Sequence, residues 1–419
     1  MVVQKKTFIT AAIILVTTVI GVALNLTIVC RVCVLFLLII CIIRGMQESY
    51  FLNPYYMFAM VPFTLLIYAN ISNYHLDLTI NTWLIAIINI AVFIIALDFT
   101  SEYKKISKCV GLGGGSELTK HIILLLGIGF LPFVYSIIFK SNMPFGSMIS
   151  LFATGAVVGA VKSKKKSLII LVTVMYVVSW VGYVSKFSVL TFVLAVIISY
   201  EKFYVTTARQ RMKLIILAVI GVIIMIIAFS FANQGRENTS GQAALDYYAR
   251  YGGAIWNGNS ALFMPYMYLT TPWANLQYVM ETQNTYTHGL WMLKPLLNYL
   301  QIDGLLGNAY NLTPYSNFNT FTFIACCFKD FGFWGSFISS AFLGFFTKKV
   351  YSRYKVSRSP LDVACYVLLS QAVLEMFFSN HFYMQSYPFT IVIIMGIYKL
   401  VFCRKNLTEI EPEYITAED

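Results

Sequence analysis

Charge is what this sequence lacks most. Only 11% of its 419 residues are Asp, Glu, Lys or Arg, while 58% are hydrophobic; a soluble globular domain carries about 25% charged residues. With a mean hydropathy of +0.72, this composition excludes a soluble globular protein and leaves an integral membrane protein. The motifs of metal and nucleotide chemistry are also absent. There is no Asp-x-Asp pair to hold a metal under a nucleotide sugar, no Walker sequence and no H-E-x-x-H, so no metal and no cofactor is expected. Gly113-Gly114-Gly115 lacks the G-K-[ST] ending of a phosphate loop and reads as a linker. No internal repeat of the kind that builds duplicated transporters is visible.

The charge that is present is unevenly placed. The formal net charge is +12, but the basic residues sit in short clusters between apolar runs, which is a topology signal and no nucleic-acid stripe. Lys5-Lys6 precede an apolar run too long for a signal peptide, with no A-x-A-like cleavage site after it, so this run reads as a first membrane helix. At roughly 20 apolar residues per crossing, the spans fall at about 8–24, 28–43, 54–70, 79–98, 121–139, 145–161, 167–184, 187–200, 214–231, 325–346, 361–378 and 388–403. Arg44, Lys104-Lys105, Lys162 to Lys166, Arg209 to Lys213, Lys348 to Arg358 and Arg404-Lys405 then all share a face with the N-terminus. The opposite loops are nearly bare. The expected fold class is therefore all-α and polytopic, with about twelve transmembrane helices, both termini cytoplasmic and one large external loop. Its parts are spans one to nine in residues 1–231, the loop in 232–324, spans ten to twelve in 325–403 and a tail in 404–419.

The eight cysteines lie mostly within apolar runs. Cys30 and Cys33 enclose Arg31 in a C-x-x-C spacing but fall in a span, where packing is the expected role.

The external loop carries the candidate chemistry, since binding and catalysis concentrate on loops held by a rigid scaffold. Arg236 and Arg250 are permanent cations whose planar fork matches phosphate oxygens, and the plain alternative is pairing with lipid phosphate or with Glu237 or Asp246. Arg250 is followed by Tyr251-Gly252-Gly253, which permits close backbone approach. Lys186, at the outer end of a span, either snorkels or reaches a phosphate. Lys294 and Asn319 join Arg236, Lys186 and Tyr251 as expected substrate contacts. His288 is the one histidine of the loop and suits a general base near neutral pH. Asp330 is either half of an interfacial pair with Lys329 or a base. Glu375, inside a span, is by default a functional hypothesis, with Lys399 or Arg31 as a possible partner. Tyrosines and tryptophans from Tyr247 to Trp291 suit sugar faces and an interfacial belt equally. Apolar groups such as Ala261 to Met264 and Leu290 to Leu293 predict a partly helical loop, packed on the outer membrane surface over a cavity.

Four segments carry a family resemblance: F-L-N-P-Y-Y-M-F-A-M-V-P-F (Phe51 to Phe63), V-S-K-F-S-V-L-T-F (Val184 to Phe192), P-Y-M-Y-L-T-T-P-W-A-N-L (Pro265 to Leu276) and N-T-F-T-F followed by K-D-F-G-F-W-G (Asn319 to Gly335). With the topology, they make the chain resemble the bacterial O-antigen polymerase (Wzy) class of repeat-unit polymerases. The resemblance implies an enzyme of the inner membrane acting on undecaprenyl-pyrophosphate-linked oligosaccharides among membrane lipid, with a chain-length regulator protein as a further partner. It implies metal-independent transfer of the growing chain to the next lipid-linked unit, with arginines at the departing pyrophosphate. Arg250, His288 and Asp330 are the candidates at the reaction, with the base left open between His288, Asp330 and a substrate-assisted route. The related ligases carry a His where this chain has Phe321, followed here by Thr322, which argues against ligase activity. A lipid-linked oligosaccharide flippase is the competing transporter reading; short loops on both faces would be expected of it.

Overall fold

A computed structural model describes residues 2–3, 5–71, 77–100, 115–140, 146–183, 186–216, 260–283, 285–291 and 320–379, with a few isolated positions besides. The described chain is helical apart from one short antiparallel strand pair, Val2–Val3 with Phe99–Thr100. Three of its helices are long and apolar enough to cross a membrane: Thr27–Gln47, Ile80–Leu97 and Leu118–Phe139. Shorter apolar helices, among them Ala12–Ala23 and Phe152–Ser163, accompany them. Apolar side chains such as Ile28, Met46 and Ile137 are exposed on these helices, as a lipid-facing surface requires.

The chain divides into two compact units, one of residues 1–102, 200–352 and 369–387, the other of residues 103–199, 353–368 and 388–419. In the first, α1 (Lys5–Ala23) and α2 (Thr27–Gln47) form a hairpin through Asn25, whose φ of 54° turns the chain within three residues. Next come α3 (Pro54–Phe58), α4 (Met60–Ile71) and α5 (Ile80–Leu97). Asn53 starts α3: its side chain accepts from the Tyr55 and Tyr56 N–H groups, and Pro54 fills the first position, where no N–H is needed. Thr79 caps α5 in the same way through the Thr82 N–H. Phe58, Phe93 and Phe323 pack together at the centre of this unit.

The second unit holds α6 (Gly115–Phe139), α7 (Gly146–Ser150), α8 (Phe152–Ser163) and α9 (Lys166–Tyr183). Small residues bring α6 and α8 together. A Cβ at Gly129 would stand 2.5 Å from the Ala153 nitrogen, and one at Gly159 2.7 Å from Ile122. Close backbone approach of this kind substitutes for the hydrophobic drive that lipid does not supply.

Four further helices are α10 (Lys186–Tyr204), α11 (Ser260–Thr282), α12 (Phe323–Val356) and α13 (Pro360–Leu374), and residues 208–216 are helical as well. Helix boundaries depart from the sequence expectation at three places. The span expected at 54–70 is broken at Ala59 and that at 145–161 at Leu151, while α10 continues through Glu201 to Tyr204. The expected spans 214–231 and 388–403 fall largely outside the described residues.

Candidate functional site

The large loop begins its described part with α11, and this helix is sunk among the helices of its unit. Trp273, fully buried, donates from Nε1 to Thr64 Oγ1 at 3.1 Å, midway along α4. Gln277 receives the Thr79 N–H at 2.9 Å and bonds Thr82 Oγ1 at the start of α5. Asn275 donates to the Thr320 carbonyl at 2.6 Å. The loop was expected to be partly helical, as α11 is, but this part lies against α4 and α5 instead of over the spans. The physical reason is that nearly its whole circumference is buried, from Tyr266 through Val279, so no face is left over for water.

Downstream, residues 283–291 are clipped onto the start of α12. The Thr287 and His288 N–H groups donate to the carbonyls of Lys329 (3.1 Å) and Asp330 (2.8 Å). The Asp330 carboxylate is fully buried and accepts on one oxygen from Thr287 Oγ1 at 2.6 Å and from the Trp291 N–H at 2.8 Å. It thereby satisfies a donor at the beginning of the helical turn through Leu290 and Trp291, the office of an N-cap residue supplied from another segment. Gln283 adds a bond to the Lys329 carbonyl. His288 sits on a backbone with φ of 49° and its side chain is exposed. Histidine is among the few residues that tolerate this region, so the clip holds an imidazole outward on fixed backbone. Tyr286 and Phe331 are exposed beside it, and Trp334 follows on α12.

The clip depends on one glycine. Gly332, with φ 67° and ψ −161°, kinks α12 in a conformation that is essentially glycine-only. A Cβ there would meet the Tyr286 ring at 2.8 Å. Gly332→Ala is expected to cost at least ~1–3 kcal/mol of backbone strain and to lower the thermal unfolding midpoint in detergent. Gly127→Ala, at a helix position with open space around it, is the control that leaves the midpoint unchanged or raised. Tyr286→Ala added to Gly332→Ala should restore only the part owed to the ring.

A second cluster ties together helix ends of the same unit. Arg44 pairs with Asp98 at 3.1 Å, and Tyr55 donates to the other carboxylate oxygen of Asp98. Tyr351 donates to Glu48 at 3.0 Å. Asn53 Nδ2 binds the Gly45 and Tyr50 carbonyls. Glu201 accepts from the N–H groups of Phe51 and Leu52, and Lys202 donates to the Tyr50 hydroxyl at 2.9 Å. Burial pushes the Glu201 carboxyl up, while the two N–H donors oppose that shift. Every charge in this cluster is bound to protein groups, which is the arrangement of a lock.

Of the residues singled out in the sequence, His288 and Asp330 are brought together. Arg236, Arg250, Tyr251, Lys294 and Asn319 lie outside the described residues, and Lys186 is described only by its backbone, as the first residue of α10. Glu375 is buried after the end of α13 and receives a bond from Gln371 at 3.4 Å. Its suggested partner Arg31 donates to Asn70, and Lys399 lies outside the described residues. Cys30 and Cys33 are buried and free. Sequence reasoning passed over Asp98, Glu201, Gln277 and Thr287. Asp98 could have been found, because it falls inside the expected span 79–98, where an acid is costly unless paired. Comparison with known protein families, with curated proteins and with solved structures finds no match to this chain.

Proposed function

We propose that the protein is a polytopic inner-membrane polymerase. It joins oligosaccharide repeat units carried on undecaprenyl pyrophosphate, without metal or cofactor, at the outer face of the membrane. The observation that carries this reading is the clip: His288 and Asp330, far apart in sequence, are joined by a backbone hydrogen bond, and the imidazole is exposed, as are Tyr286 and Phe331 on the same two segments. Aromatic rings suit sugar faces, and an exposed imidazole suits deprotonation of an acceptor hydroxyl near neutral pH. His288 is thus the group able to meet substrate, and Asp330 holds it in place. Arg250, with Arg236 or Lys186, supplies cations to the departing pyrophosphate, and Tyr251, Lys294 and Asn319 contact the substrate.

In this reading the twelve-span topology puts both termini in the cytoplasm and opens residues 232–324 to the periplasm, with α11 dipping in against α4 and α5. The polar lock supports it. Arg44, Asp98, Glu201 and Tyr351 belong at the inner ends of spans two, four, eight and ten, and they are linked through segment 48–53 and Tyr55. Reporter fusions after Glu201 and after Asn259 should give cytoplasmic and external signals respectively; the same sign at both positions would end the reading. For activity, purified protein is incubated with lipid-linked repeat units. A ladder of lengths supports polymerisation, transfer to lipid A core would mean a ligase, and movement of unaltered units across proteoliposomes would mean a flippase.

A further inference from the structure

Three segments far apart in sequence meet at one end of the second unit, and they carry cations. Lys162, in the last turn of α8, donates to the Arg358 carbonyl at 3.0 Å, and Lys165 donates to Thr119 Oγ1 at 3.1 Å. The turn between them is fixed: Lys164 has φ of 57° with its N–H on the Val161 carbonyl, and the Lys165 N–H binds Ser163 Oγ. Two lysine bonds therefore knit the first turn of α6, the α8–α9 turn and the α12–α13 connection into one surface. Lys120, Lys164, Lys165, Lys166 and Arg358 are exposed on it, and Lys162 is partly buried beneath. Among the described side chains of these segments the one acid is Asp362, already bound by Arg353 and Ser357. The ammonium of Lys162 is pushed down in pKa by its burial and, second, by the Arg358 guanidinium.

An orientation rule asks only that basic residues lie on one side of the membrane; it does not ask that they converge. Like charges within a Debye length of ~8–10 Å repel, and a structure that holds them together gains when an anion sits among them. The level at which they converge identifies the anion. The uninterrupted apolar run of α6 begins at Ile122, directly after Thr119, Lys120 and His121, so Thr119 and Lys120 stand where hydrocarbon gives way to headgroups.

We infer that this end of the second unit, built from Lys120, Lys162, Lys164 to Lys166 and Arg358, is a binding site for the headgroup of an anionic phospholipid of the surrounding bilayer. Exposed cations at a membrane surface contribute about fivefold each in affinity for anionic lipid. The site is independent of the polymerase reading and stands whatever reaction the protein performs.

The test uses the purified full-length protein in a zwitterionic detergent. It is titrated with phosphatidylglycerol or with phosphatidylcholine of the same acyl chains, and bound lipid is counted by native mass spectrometry. Phosphatidylglycerol should bind at least ~100-fold more tightly. The triple variant Lys164→Gln, Lys166→Gln, Arg358→Gln, which touches neither lysine side chain of the two joining bonds, should lose about 100-fold in that affinity and leave phosphatidylcholine unchanged. The charge-keeping set Lys164→Arg, Lys166→Arg, Arg358→Lys should bind as the parent does, which controls for folding. A comparison triple at exposed cations elsewhere, Arg209→Gln, Arg211→Gln, Lys213→Gln, should have little effect. Equal loss in the two neutralised triples would show unspecific attraction and overturn the site. So would equal affinity for the two lipids, or full displacement by inorganic phosphate at equal concentration, which would make the ligand a free anion.

Discussion

On the proposed polymerase reading, Arg250→Ala, accumulated in the membrane at the parent's level, is expected to leave cells with single-repeat products in place of polymer. The reasoning starts from the leaving group. As the glycosidic bond breaks, negative charge grows on the lipid pyrophosphate, so a cation fixed there stabilises the transition state more than the bound substrate. That difference is the condition for raising turnover. Removing one preorganised group of this kind costs about 100- to 1000-fold in rate, enough to end polymerisation within a growth cycle. Arg250→Lys retains charge but loses the planar fork and should fall between the two. Arg250 precedes α11 in the chain and lies outside the described residues. Long polymer from a normally accumulated Arg250→Ala would make this residue an interfacial anchor and move the pyrophosphate contact to other cations of the loop. Lys186 and Arg236 would then be the next to substitute.

What the sequence revealed of the fold follows from which interactions are local. Asn53-Pro54 announces a helix start because the cap and the first helical residue are neighbours in the chain, and the structure has α3 beginning there. Apolar runs gave α1, α2, α5, α6 and α9 to within a few residues, since lipid demands hydrophobic length and little else. The break of the expected 145–161 span at Leu151 was not legible, because Leu151 is a good helix former and no proline within the span marks the place. The site was only half legible for a different reason. That His288 and Asp330 are chemistry-bearing residues could be read from their types. That Asp330 is buried and serves Thr287 and Trp291, while His288 is exposed, depends on how two segments forty residues apart meet, and no spacing encodes it. The Arg44–Asp98 pair is hidden in the same way: each partner lies at a helix end, and only packing makes them partners.

Asp330 offers the sharpest division between a catalytic and a positioning role. Asp330→Ala leaves the Thr287 hydroxyl and the Trp291 N–H without their buried acceptor. An unsatisfied buried donor costs about 1–3 kcal/mol, a large share of a total stability of ~5–15 kcal/mol. The clip should open, and with it go the fixed backbone of His288 and polymer formation. Asp330→Asn should behave differently. Both bonds fall on a single carboxylate oxygen, and an amide oxygen in its place accepts both, so the clip should persist and activity should remain within about tenfold of the parent if the lost charge assistance is worth ~1.4 kcal/mol. A general base at this position would be abolished equally by Ala and Asn. The structural readout is independent of activity: in purified protein carrying His288→Cys, maleimide labelling at that position should keep the parent rate with Asp330→Asn added and change with Asp330→Ala added. Loss of polymer in Asp330→Asn with unchanged labelling would return Asp330 to the reacting groups and leave His288 as its neighbour. Retention of polymer in Asp330→Asn together with its loss in His288→Gln would establish the imidazole as the group that meets the acceptor.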